Sequence, residues 1–179
     1  MTHLQGNFDG LCGIYSTINA FNQMFRMDGE VKKGLFKTII KHLGEKKTYD
    51  IILNGCNTFR LKKYIIASAV EYIENLSNVK ITIDHKLAKS ANDIASLKKI
   101  LFQNFSNQEN PCAVILGYNN EQIGENHWTC CIDVSDKRLK LSDSVYRKHI
   151  EWSKCSTAKS TALKPFFIDE VILISFIRK

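Results

Sequence analysis

Four residues of this chain have the types and spacing needed for nucleophilic catalysis: Cys12, His127, Asp143 and Gln5. Cys12 follows Asp9-Gly10, which reads as a helix start with Asp9 capping free amides. A cysteine in a first helical turn meets unpaired N–H groups and the positive end of the dipole, and both favour thiolate. The apolar residues Leu11, Ile14, Ile18, Phe21 and Phe25 form a stripe centred roughly 140° around the helix from Cys12. Cys12 is therefore expected off the core face, with Gly13 beside it leaving room for a substrate backbone. Taken alone, Cys12 also reads as a half-buried structural thiol, the usual state of a free cysteine.

His127 opens the apolar run His127-Trp128-Thr129-Cys130-Cys131-Ile132-Asp133-Val134, directly after a polar loop. An imidazole at a strand mouth is placed to meet a ligand. By itself it also reads as a histidine satisfied by hydrogen bonds. His3, His42, His85 and His149 have weaker settings. Asp143 follows one hairpin later, after Arg138 to Ser142. If Ser135-Asp136-Lys137 is a three-residue turn, Val134 opposes Arg138 and residue 129 opposes Asp143. His127 and Asp143 then share a face as diagonal neighbours ~7–8 Å apart. A two-residue turn puts them on opposite faces, so the pairing depends on register. Asp133 lies on His127's face but ~20 Å along the strand, too far to substitute. Gln5, upstream of Cys12, is a side-chain amide that can donate to a developing oxyanion together with the Cys12 N–H, and Asn7 is the fallback.

This order resembles the papain-like cysteine peptidase superfamily: Gln5, then Cys12-Gly13, a distant His127-Trp128 opening a strand, and Asp143 one hairpin on. It is most similar to the compact bacterial branch typified by domains that cleave bacteriocin leader peptides. The resemblance covers about residues 5–25 and 110–145. It implies a papain-like fold with Cys12 as nucleophile, His127 as general base and acid, Asp143 orienting His127, and Gln5 as oxyanion donor. It also implies a thioester intermediate and a peptide or protein substrate. An acyltransferase, transglutaminase or glutamine deamidase would run through the same thioester. A non-catalytic binding module of the same fold is the rival from another class.

The elements that must position these residues fall into two halves, an α+β arrangement. Helical spacing marks Leu11 to Phe25, then Val31, Leu35, Ile39 and Leu43, then a run from about Thr58 to Leu76 expected to lie centrally. A short strand is expected over Val79 to Asp84 and a helix over Asn92 to Phe105, with Ile94, Leu97, Leu101 and Phe105 inward. Strands are expected over Pro111 to Tyr118, His127 to Val134, Arg138 to Ser142 and Phe166 to Arg178, with Asn119 to Asn126 a loop. Residues 144–164 are polar and show no pattern. At 179 residues the chain suits one domain, mainly helical over 1–108 and mainly β over 109–179.

The remaining features narrow the function. The net charge of +7 favours acidic partners only mildly, and no glycine-rich phosphate loop is present, so nucleic acid is not expected. Lys33, Lys37 and Lys41 line one helix face, and a solvated face is a stronger reading for them than a phosphate site. The six cysteines include no C-x-x-C and no zinc-ligand spacing, and no metal or cofactor is expected. Adjacent Cys130 and Cys131 should point to opposite faces of a strand. The N-terminus has no targeting signal and no run suits a membrane helix, so reduced thiols in the cytoplasm are expected, with export as an effector an open alternative. Tyr146 and Trp152 are candidates to shape a cleft or simply to pack.

Overall fold

The computed structural model describes residues 10–87, 93–106, 112–120, 125–143, 147–158 and 161–178. Three long helical stretches come first. Helix α1 spans Cys12–Phe25 and ends at Arg26, whose left-handed backbone lets its N–H reach the Asn22 carbonyl. Helix α2 spans Gly29–Asn54, with Asp28 capping the Val31 N–H and a break at Gly44. Its first half buries Leu35, Ile39 and Leu43, as the spacing predicts, and a further stretch beyond the break buries Ile51. Helix α3 (Thr58–Arg60), a π-helical segment (Leu61–Ile66) and α4 (Ala67–Leu76) form one continuous run. Leu61, Ile65, Ile66, Ala69 and Ile73 are buried, but Leu76 is exposed, so the run is central only over its first four turns.

The strands are β1 (Val79–Leu87), β2 (Cys112–Asn120), β3 (Glu125–Val134), β4 (Arg138–Ser142), β5 (His149–Glu151), β6 (Cys155–Ser156) and β7 (Phe166–Arg178). Helix α5 (Ile94–Ser106) lies between β1 and β2 in the chain. The sheet order is β1-β7-β2-β3-β4-β5, and β6 pairs with β7. The pairing is antiparallel throughout except for the short β6–β7 contact. The molecule is thus α+β, helical in its N-terminal part and mainly antiparallel sheet in its C-terminal part. The last strand in sequence lies inside the sheet, between β1 and β2, and its alternating apolar residues serve two cores.

Those cores occupy opposite faces of the sheet. Ala113, Ile115, Trp128, Cys130, Ile172 and Ile174 pack with α1, α2 and the π-helical run. Val114, Leu116, Tyr118, Cys131, Val171 and Leu173 pack with Leu97 and Leu101 of α5. Helix α5 therefore covers the face away from the other helices, with Ile94 and Phe105 only half-buried. Cys130 and Cys131 do face opposite ways, which follows from the two-residue period of a strand. The patternless stretch after 146 contains β5, a 3₁₀ turn at Trp152–Lys154 and β6. Trp152 packs in the second core, and Tyr146 lies outside the described residues.

Two sequence expectations change here. Asn119 and Asn120 belong to β2, and Glu125 and Asn126 to β3, so both ends of the expected polar loop are paired strand, and residues 121–124 lie outside the described residues. The β3–β4 hairpin is also one residue longer than a three-residue turn predicts. Val134 opposes Leu139 rather than Arg138, and Asp133 opposes Lys140. A bulge at Ile132 then takes up the extra residue, so that Cys131 opposes Leu141 and Cys130 opposes Ser142. The bulge turns Asp133 outward beside Lys140, away from the face assigned to it from sequence, while Val134 joins Cys131 in the second core.

Candidate active site

Cys12 is the first residue of α1, preceded by Leu11 in a non-helical conformation without a side-chain cap. Asp9 lies outside the described residues, as do Gln5 and Asn7. Cys12 is only 6% exposed and contacts the first core, so the expectation of a residue off the core face is corrected. A helical wheel treats each helix as if it packed on one side. The start of α1 is instead enclosed on a second side by the chain that leaves α2.

That chain is Gly55-Cys56-Asn57. Gly55 ends α2 with φ of 75° and ψ of −175°, a conformation open essentially to glycine. The Cys56 carbonyl accepts from the Trp128 indole N–H at 2.5 Å. The Asn57 side chain accepts from the Arg60 N–H at 2.9 Å and starts the next helix. On the other side, the Gly10 N–H donates to the Ile52 carbonyl at 3.0 Å. The segment before α1 is thereby tied to the last turn of α2, and Cys12 lies in the cleft lined by these segments and the start of β3. The cleft has a volume of about 250 Å³ and is lined by Cys12, Asn54, Asn57, Asn126, His127 and Trp128, among others.

His127 and Asp143 are both almost fully buried. The His127 Nε2 lies 3.2 Å from Asp143 Oδ2. Cys12 and His127 line the same cleft, and the thiol is near enough to the ring to act on its charge. With Nε2 held by the carboxylate, Nδ1 is the ring nitrogen left for the thiol. Tyr118, directly opposite His127 in β2, packs against the imidazole with ring centroids 5.5 Å apart. Arg147 lies over the Tyr118 ring and donates to its hydroxyl.

Electrostatics favour a charged imidazole. Burial pulls the His127 pKa down, but hydrogen bonds to Asp143 and Cys12 and the negative charge of both outweigh it and raise the pKa to about 9. The ring is thus protonated at neutral pH. The other described thiols are held protonated. Burial, then the neighbouring Cys12, pushes Cys56 up to about 12. Burial also raises Cys112, Cys130, Cys131 and Cys155.

The site also includes residues that sequence reasoning did not single out. Cys56 and Asn57 belong to an irregular link, for which no periodic signal exists. Asn19 is buried in α1 and donates to the Ser142 carbonyl at 3.2 Å. Trp128 was visible only as the neighbour of His127. The remaining candidates lie elsewhere. His85 bonds Glu170 and Lys62. Lys33, Lys37 and Lys41 are exposed, as a solvated face requires. Among the described residues no cluster of His, Cys, Asp and Glu is placed to hold a metal ion, and no helix is long and apolar enough to cross a membrane.

No protein-family model matches this sequence, and no curated protein matches it. Among solved structures, the chain is similar to the crystal structure of the Pseudomonas avirulence protein AvrPphB. The two are 10% identical with a TM-score of 0.41, over 93% of this chain and 91% of that one.

Proposed function

We propose that this protein is a papain-like cysteine hydrolase acting on peptide or protein substrates. One observation carries the reading: His127 bonds Asp143 at 3.2 Å while Cys12, at a helix N-terminus, lines the same cleft as that ring. In this mechanism Cys12 and His127 rest as a pair, a thiolate beside an imidazolium. The thiolate attacks the substrate carbonyl, and His127 returns the proton to the leaving amine. Water, deprotonated by His127, then hydrolyses the thioester. Asp143 holds the ring through Nε2 so that Nδ1 faces the sulfur. The Cys12 N–H and Gln5 serve the oxyanion. Kinship to the compact leader-peptide peptidases, and a cytoplasmic site of action, are parts of the same proposal.

The test uses reactivity first. Near neutral pH, iodoacetamide should label Cys12 ahead of the other five cysteines, and His127→Ala should slow that labelling. Equal labelling of Cys12 and Cys155 in the native protein refutes the reading. Incubating the enzyme with peptides, amine acceptors and glutamine-containing proteins, and following cleavage, transfer and ammonia release, separates hydrolysis from acyl transfer and deamidation.

A further inference from the structure

Three polar side chains are buried along α1: Ser16, Thr17 and Asn19. Two of them satisfy themselves within the helix. The Ser16 and Thr17 hydroxyls both donate to the Gly13 carbonyl, at 3.0 and 2.8 Å. Asn19 also reaches outside the helix. Its amide reaches across 123 residues of sequence to the Ser142 carbonyl, the backbone group immediately before Asp143.

The location matters because of what ends there. The β3–β4 ladder has its last pair at Cys130 and Ser142, so Asp143 lies one residue beyond the paired strand. The Asn19 bond adds a hold on the backbone group immediately before that carboxylate, which itself bonds His127. Asn19 is seven residues after Cys12, so it lies about 10.5 Å further along the helix and about 20° short of two full turns, on the same face. Helix α1 therefore carries the nucleophile at its start and, two turns on, an amide that grips the backbone next to the carboxylate. Burying a carboxamide is costly unless it is bonded, and an apolar residue at this position would pack without that cost.

Resting on the Cys12–His127–Asp143 reading above, we propose that Asn19 is a positioning residue that refers Asp143, and through it the His127 ring, to the helix bearing Cys12. It touches none of the reacting atoms. It ties helix α1 directly to the end of β4, two parts of the site far apart in sequence. The charged and titratable groups around the ring are Cys12 from α1, Asp143 after β4, and Tyr118 from β2 with Arg147 over it. Of these, Asp143 is the one whose placement Asn19 governs.

The experiment measures the His127 ring pKa by NMR in the full chain carrying Cys12→Ala, so that no thiolate titrates with the ring. The signal is assigned by its loss in His127→Gln, and Asp143→Asn gives the full effect of losing the carboxylate. Asn19→Ala should lower the His127 pKa by at least ~0.5 pH unit, in the direction of Asp143→Asn, and leave His42 and His149 unmoved. Asn19→Gln, which keeps an amide donor, should recover part of the shift. Should Asn19→Ala not fold, Asn19→Ser, too short to reach Ser142, gives the same comparison. A His127 pKa unchanged in these variants while their Tm falls would overturn the proposal and leave Asn19 a packing residue. With Cys12 intact, iodoacetamide labelling tests the catalytic reading separately: a slow Cys12 sinks that reading whatever the ring pKa does.

Discussion

Replacing Asp143 with asparagine should change how the stability of this protein depends on pH. In the wild type the His127 pKa is raised from 6.5 to about 9. That rise of roughly 2.5 units corresponds to about 3 kcal/mol of preference for the protonated ring in the folded state. A folded pKa above the unfolded value gives stability that is fully present below pH 6.5. It is lost as the pH rises through the window from 6.5 to about 9. Asp143→Asn removes the buried negative charge and keeps the side-chain size. Burial, the largest single influence on this ring, then acts with only Cys12 against it, and the pKa falls. The assay is urea unfolding of both proteins at pH 6 and pH 9.5, compared as a difference of differences so that groups common to both cancel. Going from the lower to the higher pH, the wild type should lose about 2–3 kcal/mol more than the variant. Two parallel pH profiles would refute the reasoning, because they would mean that the carboxylate does not sustain the charge on His127.

Two further outcomes are expected. Gln5→Ala should lower kcat by ~10²–10³-fold without unfolding the protein, the usual effect of losing one oxyanion donor, and Asn7→Ala should not; if steady-state kinetics show the reverse, the donor is Asn7. Gly55→Ala should cost about 1–3 kcal/mol in urea unfolding, because φ of 75° with ψ of −175° is strained for any residue with a Cβ. A Tm equal to wild type would mean that the Gly55 link relaxes freely and does not define the cleft wall.

Much of the element inventory was legible in the sequence. Leu35, Ile39 and Leu43 repeat with the period of a helix because each faces the same core, and β7 was bounded correctly by its apolar run alone. Cys12 was likewise readable as the start of a helix, since helix boundaries leave local marks. The limits appear where two local patterns compete or where none exists. Asn119 and Asn126 are polar and read as loop, yet they pair with each other across β2 and β3, because backbone hydrogen bonding does not require apolar side chains. The link at Gly55-Cys56-Asn57 has no period at all, and its role as a cleft wall depends on Trp128, more than seventy residues away.

What the sequence by itself determined, then, was the set of elements and the kinds of side chain each presents. Helical and strand periodicities arise from the geometry of a few consecutive residues, and the chain carries them wherever it goes. The tertiary structure decided how those elements meet. It put β7 between β1 and β2, placed α5 on the far face of the sheet and enclosed Cys12 from a second side. Most of all, it decided which way Asp143 faces. The hairpin is one residue longer than its turn suggests, and on that register alone Asp143 would point away from His127. The bulge at Ile132 absorbs the extra residue and restores Cys130 opposite Ser142. A bulge leaves no mark in the alternation of apolar and polar residues, because what stabilises it is the packing of both sheet faces at once.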